Sequence, residues 1–175
     1  MKKILIILGI LLLVTGCSLT SREDKEKTFK LDNYGSFSIN EDCMIRYDHS
    51  THNKLFFVDK KDEHSDRPNN ISTNGGTNYY SINQVDEFKE AIMRQMAMQA
   101  KAYNAVLTSS GTTSNNGYPV LRFNMEGKEQ KTIQYYIMGE KKYMLVHVTI
   151  FELKEEDKIL EEAEYIVNTF TWEEW

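Results

Sequence analysis

Apolar residues follow two kinds of spacing along the chain, one typical of helices and one typical of strands. From Val85 to Tyr103 they recur every three or four positions, which predicts one amphipathic helix. Ser81 and Gln84 have the spacing of a capping box, so this helix is expected to begin directly after them. A second helix is predicted from Glu155, where acidic residues suit the positive end of the helix dipole, to Phe170.

Short apolar or alternating segments predict strands on both sides of the first helix. They cover residues 29–31, 34–39, 44–47, 55–58 and 71–73 before it, and 105–110, 120–125, 131–138 and 143–151 after it. Short polar turns join the later strands, which predicts an antiparallel meander. The polar segment 60–70 is expected to be a solvated loop, and Asn74-Gly75-Gly76 a turn. The order of elements predicts an α+β fold.

A basic start and a short apolar segment precede these elements. Ile4 to Val14 covers only about 16 Å as a helix, which is typical of a signal peptide and too short to span a membrane core of about 30 Å. The residues up to Cys17 resemble the bacterial lipobox, and this resemblance implies cleavage after Gly16 and acylation of the Cys17 thiol. The alternative is conventional secretory cleavage, with Cys17 as an incidental thiol.

These features divide the chain into three parts. Residues 1–16 are expected to be a lipoprotein signal peptide, 17–28 an acylated cysteine with a polar tether, and 29–175 one domain. Two acyl chains anchor a protein stably, so we expect the mature chain at the cell membrane, facing outside the cytoplasm. Lys outnumbers Arg by 16 to 5, which favours a Gram-positive source.

Charge and cysteine content narrow the functional classes. The net charge is −5 and no basic stripe is present, so no nucleic-acid partner is expected. Acylation of Cys17 leaves Cys43 without an intramolecular disulfide partner. Carboxylates just before Cys43 disfavour its thiolate, which predicts an unreactive, half-buried strand residue.

Several segments together resemble the PsbP-like superfamily, which includes the Ran-binding Mog proteins and DcrB-type envelope lipoproteins. They are the Phe37-Ser38-Ile39 strand, the helix 85–103, the turn 116–119, the hairpin 134–143 and the helix end 168–170. The resemblance covers residues 29–172. It implies a central, mostly antiparallel sheet with helices on both faces, and non-enzymatic roles as assembly factors, scaffolds or regulators of a partner.

Histidines in the polar loops are weak candidates for a metal site. His49 and His52 lie three residues apart, and His64 follows further along. Neutral imidazoles with a carboxylate can bind Zn²⁺, Cu²⁺ or Ni²⁺. Loop geometry need not bring the rings together, so exposed loop histidines are the favoured interpretation. His147 is expected to be an ordinary sheet histidine.

Motifs for common catalysis are absent from the sequence. There is no G-x-S-x-G, no S-x-x-K with matching partners and no H-E-x-x-H, so we expect no enzyme activity and no cofactor. Aromatic residues are the candidates for surface recognition. Tyr79 and Tyr80 are flanked by Gly, Asn and Ser, a composition typical of recognition loops. Tyr118, Trp172 and Trp175 are further candidates, although Trp172 is expected to pack the last helix onto the sheet.

The sequence therefore favours a membrane-anchored envelope lipoprotein that acts as a non-catalytic binding or assembly module for another envelope protein. Two alternatives stay open. One is a small-ligand or metal-binding lipoprotein that uses His49, His52 and His64. The other is a hydrolase without a recognisable motif.

Overall fold

Strands dominate the part of the chain that the computed structural model describes, residues 27–173. The strands are β1 (Lys27–Leu31), β2 (Gly35–Ile39), β3 (Cys43–Ile45), β4 (Lys54–Asp59), β5 (Asn70–Thr77), β6 (Val106–Thr113), β7 (Pro119–Glu126), β8 (Lys131–Gly139), β9 (Lys142–Ile150) and β10 (Thr171–Trp172). The α-helices are α1 (Val85–Tyr103) and α2 (Glu156–Thr169). The predicted signal peptide, Cys17, most of the tether and Trp175 lie outside the described residues.

Two antiparallel sheets organise these strands. The larger has seven strands in the order β3-β4-β5-β9-β8-β7-β6, and the smaller has three in the order β1-β2-β10. Each of β6 to β9 pairs with its neighbour in sequence, so the predicted meander is confirmed. The predicted α+β class with a mostly antiparallel sheet is also confirmed.

The two helices cover opposite faces of the large sheet. Alternate residues of each central strand point to opposite faces, as Ile133 and Tyr136 of β8 illustrate. Ile133 belongs to the larger core, which also contains Ile166 of α2 and residues of the small sheet. Tyr136 belongs to a second core, which contains Phe88 of α1. Helices on both faces, which the PsbP-like resemblance implied, are therefore present.

Local sequence signals define α1. The Ser81 N–H donates to Gln84 Oε1 at 3.1 Å, but the N-cap of the helix is Gln84, and its side chain makes no capping hydrogen bond. The helix ends where Asn104 adopts a left-handed conformation with φ of 50°. Within residues 27–173 no helix is both long enough and apolar enough to cross a membrane.

The prediction of a turn at Asn74-Gly75-Gly76 is wrong, because strand β5 continues through these residues to Thr77. A Cβ on Gly75 would lie 2.3 Å from the Tyr34 ring, and one on Gly76 would lie 2.4 Å from the Tyr143 ring. The glycines therefore make room for aromatic rings that cross the strand.

Further differences concern the ends of the domain and the segment 60–70. Strand β1 begins at Lys27, two residues before the predicted start of the domain, and β10 pairs with β2 where no strand was predicted. Asn69 is buried, although the segment 60–70 was predicted to be solvated. Its Oδ1 accepts the N–H groups of Phe151 and Glu152 at 2.8 and 2.9 Å, which ties this segment to the end of β9.

Candidate binding site at the aromatic end of the sheet

Aromatic side chains gather at the end of the large sheet where a turn joins β8 to β9. The end of β5 lies here because Thr77 pairs with Lys142, and β10 lies here because a Cβ on Gly139 would be 2.8 Å from the Trp172 ring. We call this region the aromatic end. Its exposed or half-buried aromatic residues are Tyr34, Tyr79, Tyr80, Tyr118, Tyr143 and Trp172.

The loop that carries Tyr79 is fixed to the β8–β9 turn. The Asn78 N–H donates to the Lys141 carbonyl at 2.9 Å, and the Lys141 N–H donates to the Tyr80 carbonyl at 3.1 Å. Asn78 Oδ1 accepts the Tyr80 N–H at 2.8 Å, and Glu140 Oε2 accepts the Ile82 N–H at 3.3 Å. Tyr79 itself is 97% exposed. A well-anchored loop therefore presents a free aromatic ring to solvent.

The two tyrosines that the sequence singled out differ in their surroundings. Tyr80 is half-buried and its ring centroid lies 5.6 Å from that of Phe88 in α1. Phe88 is in turn 5.8 Å from Tyr143, so Tyr80 belongs to the second core. Tyr80 therefore anchors the loop, and Tyr79 is the more exposed of the two.

Trp172 forms the other side of the aromatic end. Its ring lies 4.8 Å from Phe170 and 6.3 Å from Tyr118, both in edge-to-face geometry. Lys142 Nζ lies 4.7 Å above the indole. The expectation that Trp172 packs the end of the last helix onto the sheet is therefore correct. Tyr34 and Tyr143 were not among the candidates, because their contacts are with residues distant in the sequence, such as the glycines of β5.

His49, His52 and His64 were the candidates for a metal site. Within residues 27–173 no group of three or more His, Cys, Asp or Glu residues is arranged to hold a metal ion. His49, His52 and His64 are exposed. His49 Nε2 lies 3.0 Å from Arg46 Nη2 and 3.3 Å from Asp48 Oδ2 instead.

His147 and Cys43 occupy structural positions. His147 is half-buried in β9, between Ser72 and Gln134 across the sheet, and burial lowers the pKa of its imidazole. Cys43 is only 4% exposed, more buried than expected, and its thiol donates to the Val58 carbonyl at 3.4 Å. Burial raises the pKa of the Cys43 thiol to about 12, which keeps it protonated at neutral pH.

A second concave feature lies beside the start of α2. This cleft of about 360 Å³ is formed by the β2–β3 turn, the end of β4 and α2. Its cationic groups are paired with carboxylates: Lys158 with Asp59, and Lys61 with Glu155 at 2.7 Å. Sequence reasoning missed the cleft, because its walls come from separated segments that share no motif.

Comparisons with known proteins address both the leader and the domain. The family model for the prokaryotic membrane lipoprotein lipid attachment site matches residues 1–18. The domain is similar to the solution structure of cyanobacterial PsbP (CyanoP) from Synechocystis, with a TM-score of 0.54 and 12% sequence identity. The match covers 91% of this chain and 99% of that chain. No curated protein matches the sequence.

The chain carries a lipoprotein lipid attachment site, and its domain has a PsbP-like fold. The lipid attachment site establishes that the lipoprotein is anchored to a membrane by lipid. Cys17 lies within the matched residues and remains the predicted position of acylation. At 12% identity the similarity to CyanoP establishes only the fold of the domain. Fold does not determine activity, so the function of the lipoprotein has to be inferred from its own surface residues.

Proposed function

We propose that this lipoprotein is a non-catalytic binding module for another protein of the cell envelope, and that its lipid holds it on the outer face of the cell membrane. The observation that carries the proposal is Tyr79, which is 97% exposed on a loop whose neighbouring residues are hydrogen-bonded to the β8–β9 turn. A large aromatic side chain in this position is available to a partner and has no role in the core.

The physical chemistry of protein interfaces supports this role. Tyr and Trp are enriched among the residues that contribute most to binding, because they bury large areas and lose little side-chain entropy. A loop that is already fixed in the free protein loses less entropy on binding than a mobile one. The half-buried rings of Tyr143 and Trp172 lie at the same end of the sheet as Tyr79, one on each face.

The lipid anchor supports the same role from a different direction. A protein held at a membrane meets other membrane proteins at a higher effective concentration than a freely diffusing one. A modest interface at the aromatic end can therefore be sufficient for a specific complex.

The test is crosslinking in the native cells followed by affinity purification of the full-length lipoprotein. The informative variant is Tyr79→Ala, and the matched control is Tyr103→Ala, since Tyr103 is 72% exposed at the opposite end of the sheet. We expect one stoichiometric envelope protein with the wild type and with Tyr103→Ala. Loss of a central tyrosine contact worth about 2 kcal/mol weakens binding about 30-fold. The partner should therefore not be recovered with Tyr79→Ala.

Two results would count against the proposal. Equal recovery of the partner with Tyr79→Ala and with the wild type would show that the partner does not bind at the aromatic end. If the wild type, Tyr79→Ala and Tyr103→Ala all recover no specific protein, the lipoprotein is not a binding module.

Small-ligand binding is a second candidate function, favoured by the cleft beside α2. Its volume of about 360 Å³ is within the range of small-molecule sites. A thermal-shift screen of the lipoprotein against small polar compounds tests this candidate. A ligand of this cleft should raise the melting temperature of the wild type and not that of Lys158→Met.

A further inference from the structure

Strand β6 forms one edge of the large sheet and is unusually open. It has eight residues, Val106–Thr113, and pairs within the described chain with β7 alone. Its residues are exposed or half-buried, and Val106 is 68% exposed. The sequence VLTSSGTT contains no charged residue and no proline. None of the devices that usually prevent pairing at an edge is therefore present on this strand.

The edges elsewhere in the fold are protected. Strand β3, at the opposite edge of the large sheet, has only three residues and is flanked by Asp42 and Arg46. Strand β1, at one edge of the small sheet, carries Lys27 and Lys30. Strand β10, at the other edge, has only two residues. The contrast shows that β6 is the edge available for pairing within residues 27–173.

The ladder between β6 and β7 determines which backbone groups are free. The Ser114 N–H donates to the Tyr118 carbonyl, and the next pair, Thr113 with Pro119, has no N–H on the proline. Antiparallel pairs alternate between hydrogen-bonded and non-hydrogen-bonded, so even-numbered residues of β6 bond to β7. The free N–H and C=O groups therefore belong to the odd-numbered residues, which are Leu107, Ser109, Gly111 and Thr113.

We propose that β6 pairs antiparallel with β6 of a second copy of this chain, around a twofold axis at Ser110. In this register Leu107 pairs with Thr113 of the second copy, and Ser109 pairs with Gly111 of the second copy. All four free positions of each strand then form hydrogen-bonded pairs, which gives about eight intermolecular backbone hydrogen bonds. The two seven-stranded sheets become one continuous sheet.

The sequence of β6 is what favours a second copy as the occupant. A twofold axis at Ser109 or at Gly111 would leave one free position of each strand without a partner inside β6, so Ser110 is the centre that uses all of them. Every residue in the paired strands is uncharged, so the self-pairing places no like charges opposite one another. The lipid anchor also confines copies to one membrane, which raises their effective concentration.

Disulfide trapping in the full-length, membrane-bound lipoprotein tests this pairing. In the proposed register Ser110 faces Ser110 of the second copy in a non-hydrogen-bonded pair, where Cβ atoms are about 4.5–5.5 Å apart and a disulfide can form with small adjustments. Ser110→Cys should therefore form a covalent homodimer on mild oxidation. The wild type provides the background, because Cys43 is 4% exposed.

Two cysteine variants serve as controls. Thr112→Cys lies on the same face of the same strand, but the two copies of residue 112 would be about 13 Å apart, beyond the reach of a disulfide. Thr28→Cys places an exposed thiol on β1. We expect at least about tenfold more dimer with Ser110→Cys than with either control.

Ser109→Pro and Ser109→Glu, each combined with Ser110→Cys, test whether the edge hydrogen bonds are responsible. Proline removes an outward N–H and leaves the bonds to β7 in place, and glutamate keeps that N–H but adds charge to both strands. Both should reduce the dimer at least about tenfold while the melting temperature stays near that of the wild type. Equal dimer at positions 110, 112 and 28, dimer that persists in both double variants, or a mixed disulfide with a different protein would each overturn the proposal.

Discussion

Glu162 shows how one buried carboxyl group couples this fold to pH. It is 8% exposed, and it accepts the Asn40 N–H at 3.0 Å and the Asn40 Nδ2 at 2.7 Å. Burial raises the pKa of Glu162 above its ordinary value of 4.5, because desolvation outweighs these hydrogen bonds and the attraction of Lys158. Ionised Glu162 is therefore less favourable in the folded state than in the unfolded state.

This raised pKa predicts a specific pH dependence of the free energy of unfolding. The contribution of Glu162 is full below the unfolded pKa and is lost as the pH rises through the higher folded pKa. Glu162→Gln cannot ionise, so urea denaturation should show a smaller loss of stability above pH 4.5 than in the wild type. Glu162→Ala should lower the free energy of unfolding by about 1–3 kcal/mol, because the two Asn40 donors lose their acceptor. Identical pH profiles for the wild type and Glu162→Gln would contradict this assignment.

Gly35 is a position where the fold allows no side chain. A Cβ there would lie 2.0 Å from the carbonyl oxygen of Thr171 in β10. Gly35→Ala should therefore lower the free energy of unfolding by about 1–3 kcal/mol or more. Gly111→Ala is the matched strand control, since its Cβ would meet Leu121 at 3.8 Å, and it should change stability by less than about 0.5 kcal/mol. Similar losses in both variants would argue against the close β2–β10 contact.

At the level of elements, local signals were sufficient for α1 and insufficient for β5. The apolar periodicity from Val85 to Tyr103 reproduces the bounds of the helix. In β5 the Gly75-Gly76 pair is a turn signal by itself, but the strand continues because these residues pair with β9, and the rings of Tyr34 and Tyr143 occupy the space beside the glycines. These tyrosines lie far away in the sequence, so no local pattern could reveal the contact.

The packing of α1 predicts opposite results for two methionines of the same helix. Met96 is 3% exposed in the core with Phe88, and Met98 is 70% exposed. Met96→Ala should lower the free energy of unfolding by about 2–5 kcal/mol, through lost burial and a cavity. Met98→Ala should stay within about 0.5 kcal/mol of the wild type. Chemical denaturation of both variants checks the orientation of the helix, and similar losses would contradict it.

At the scale of the whole molecule, the aromatic end shows what a sequence can and cannot reveal about a binding site. The composition around Tyr79 was a usable local signal. The rings of Tyr34, Tyr143 and Trp172 come from three other segments, and sheet topology alone brings them to the same end. The cleft beside α2 was missed for the same reason.

The membrane anchor gives a prediction for the complete lipoprotein. Cys17→Ala removes the only thiol that the lipid attachment site offers, so the lipoprotein should move from the membrane fraction to the soluble or unprocessed pool. Fractionation of cells followed by immunoblotting measures the distribution. Unchanged membrane retention of a processed Cys17→Ala chain would place the anchor elsewhere.

The proposed role of the aromatic end is to bind a membrane-associated protein. Site-specific photo-crosslinking in the native cells tests it most directly, with a photoreactive phenylalanine analogue at position 79 and the same analogue at position 103 as control. We predict one discrete crosslinked protein from position 79, none from position 103, and loss of the product in Cys17→Ala. The absence of any crosslinked protein at position 79, or the same crosslinked product from positions 79 and 103, would contradict this role.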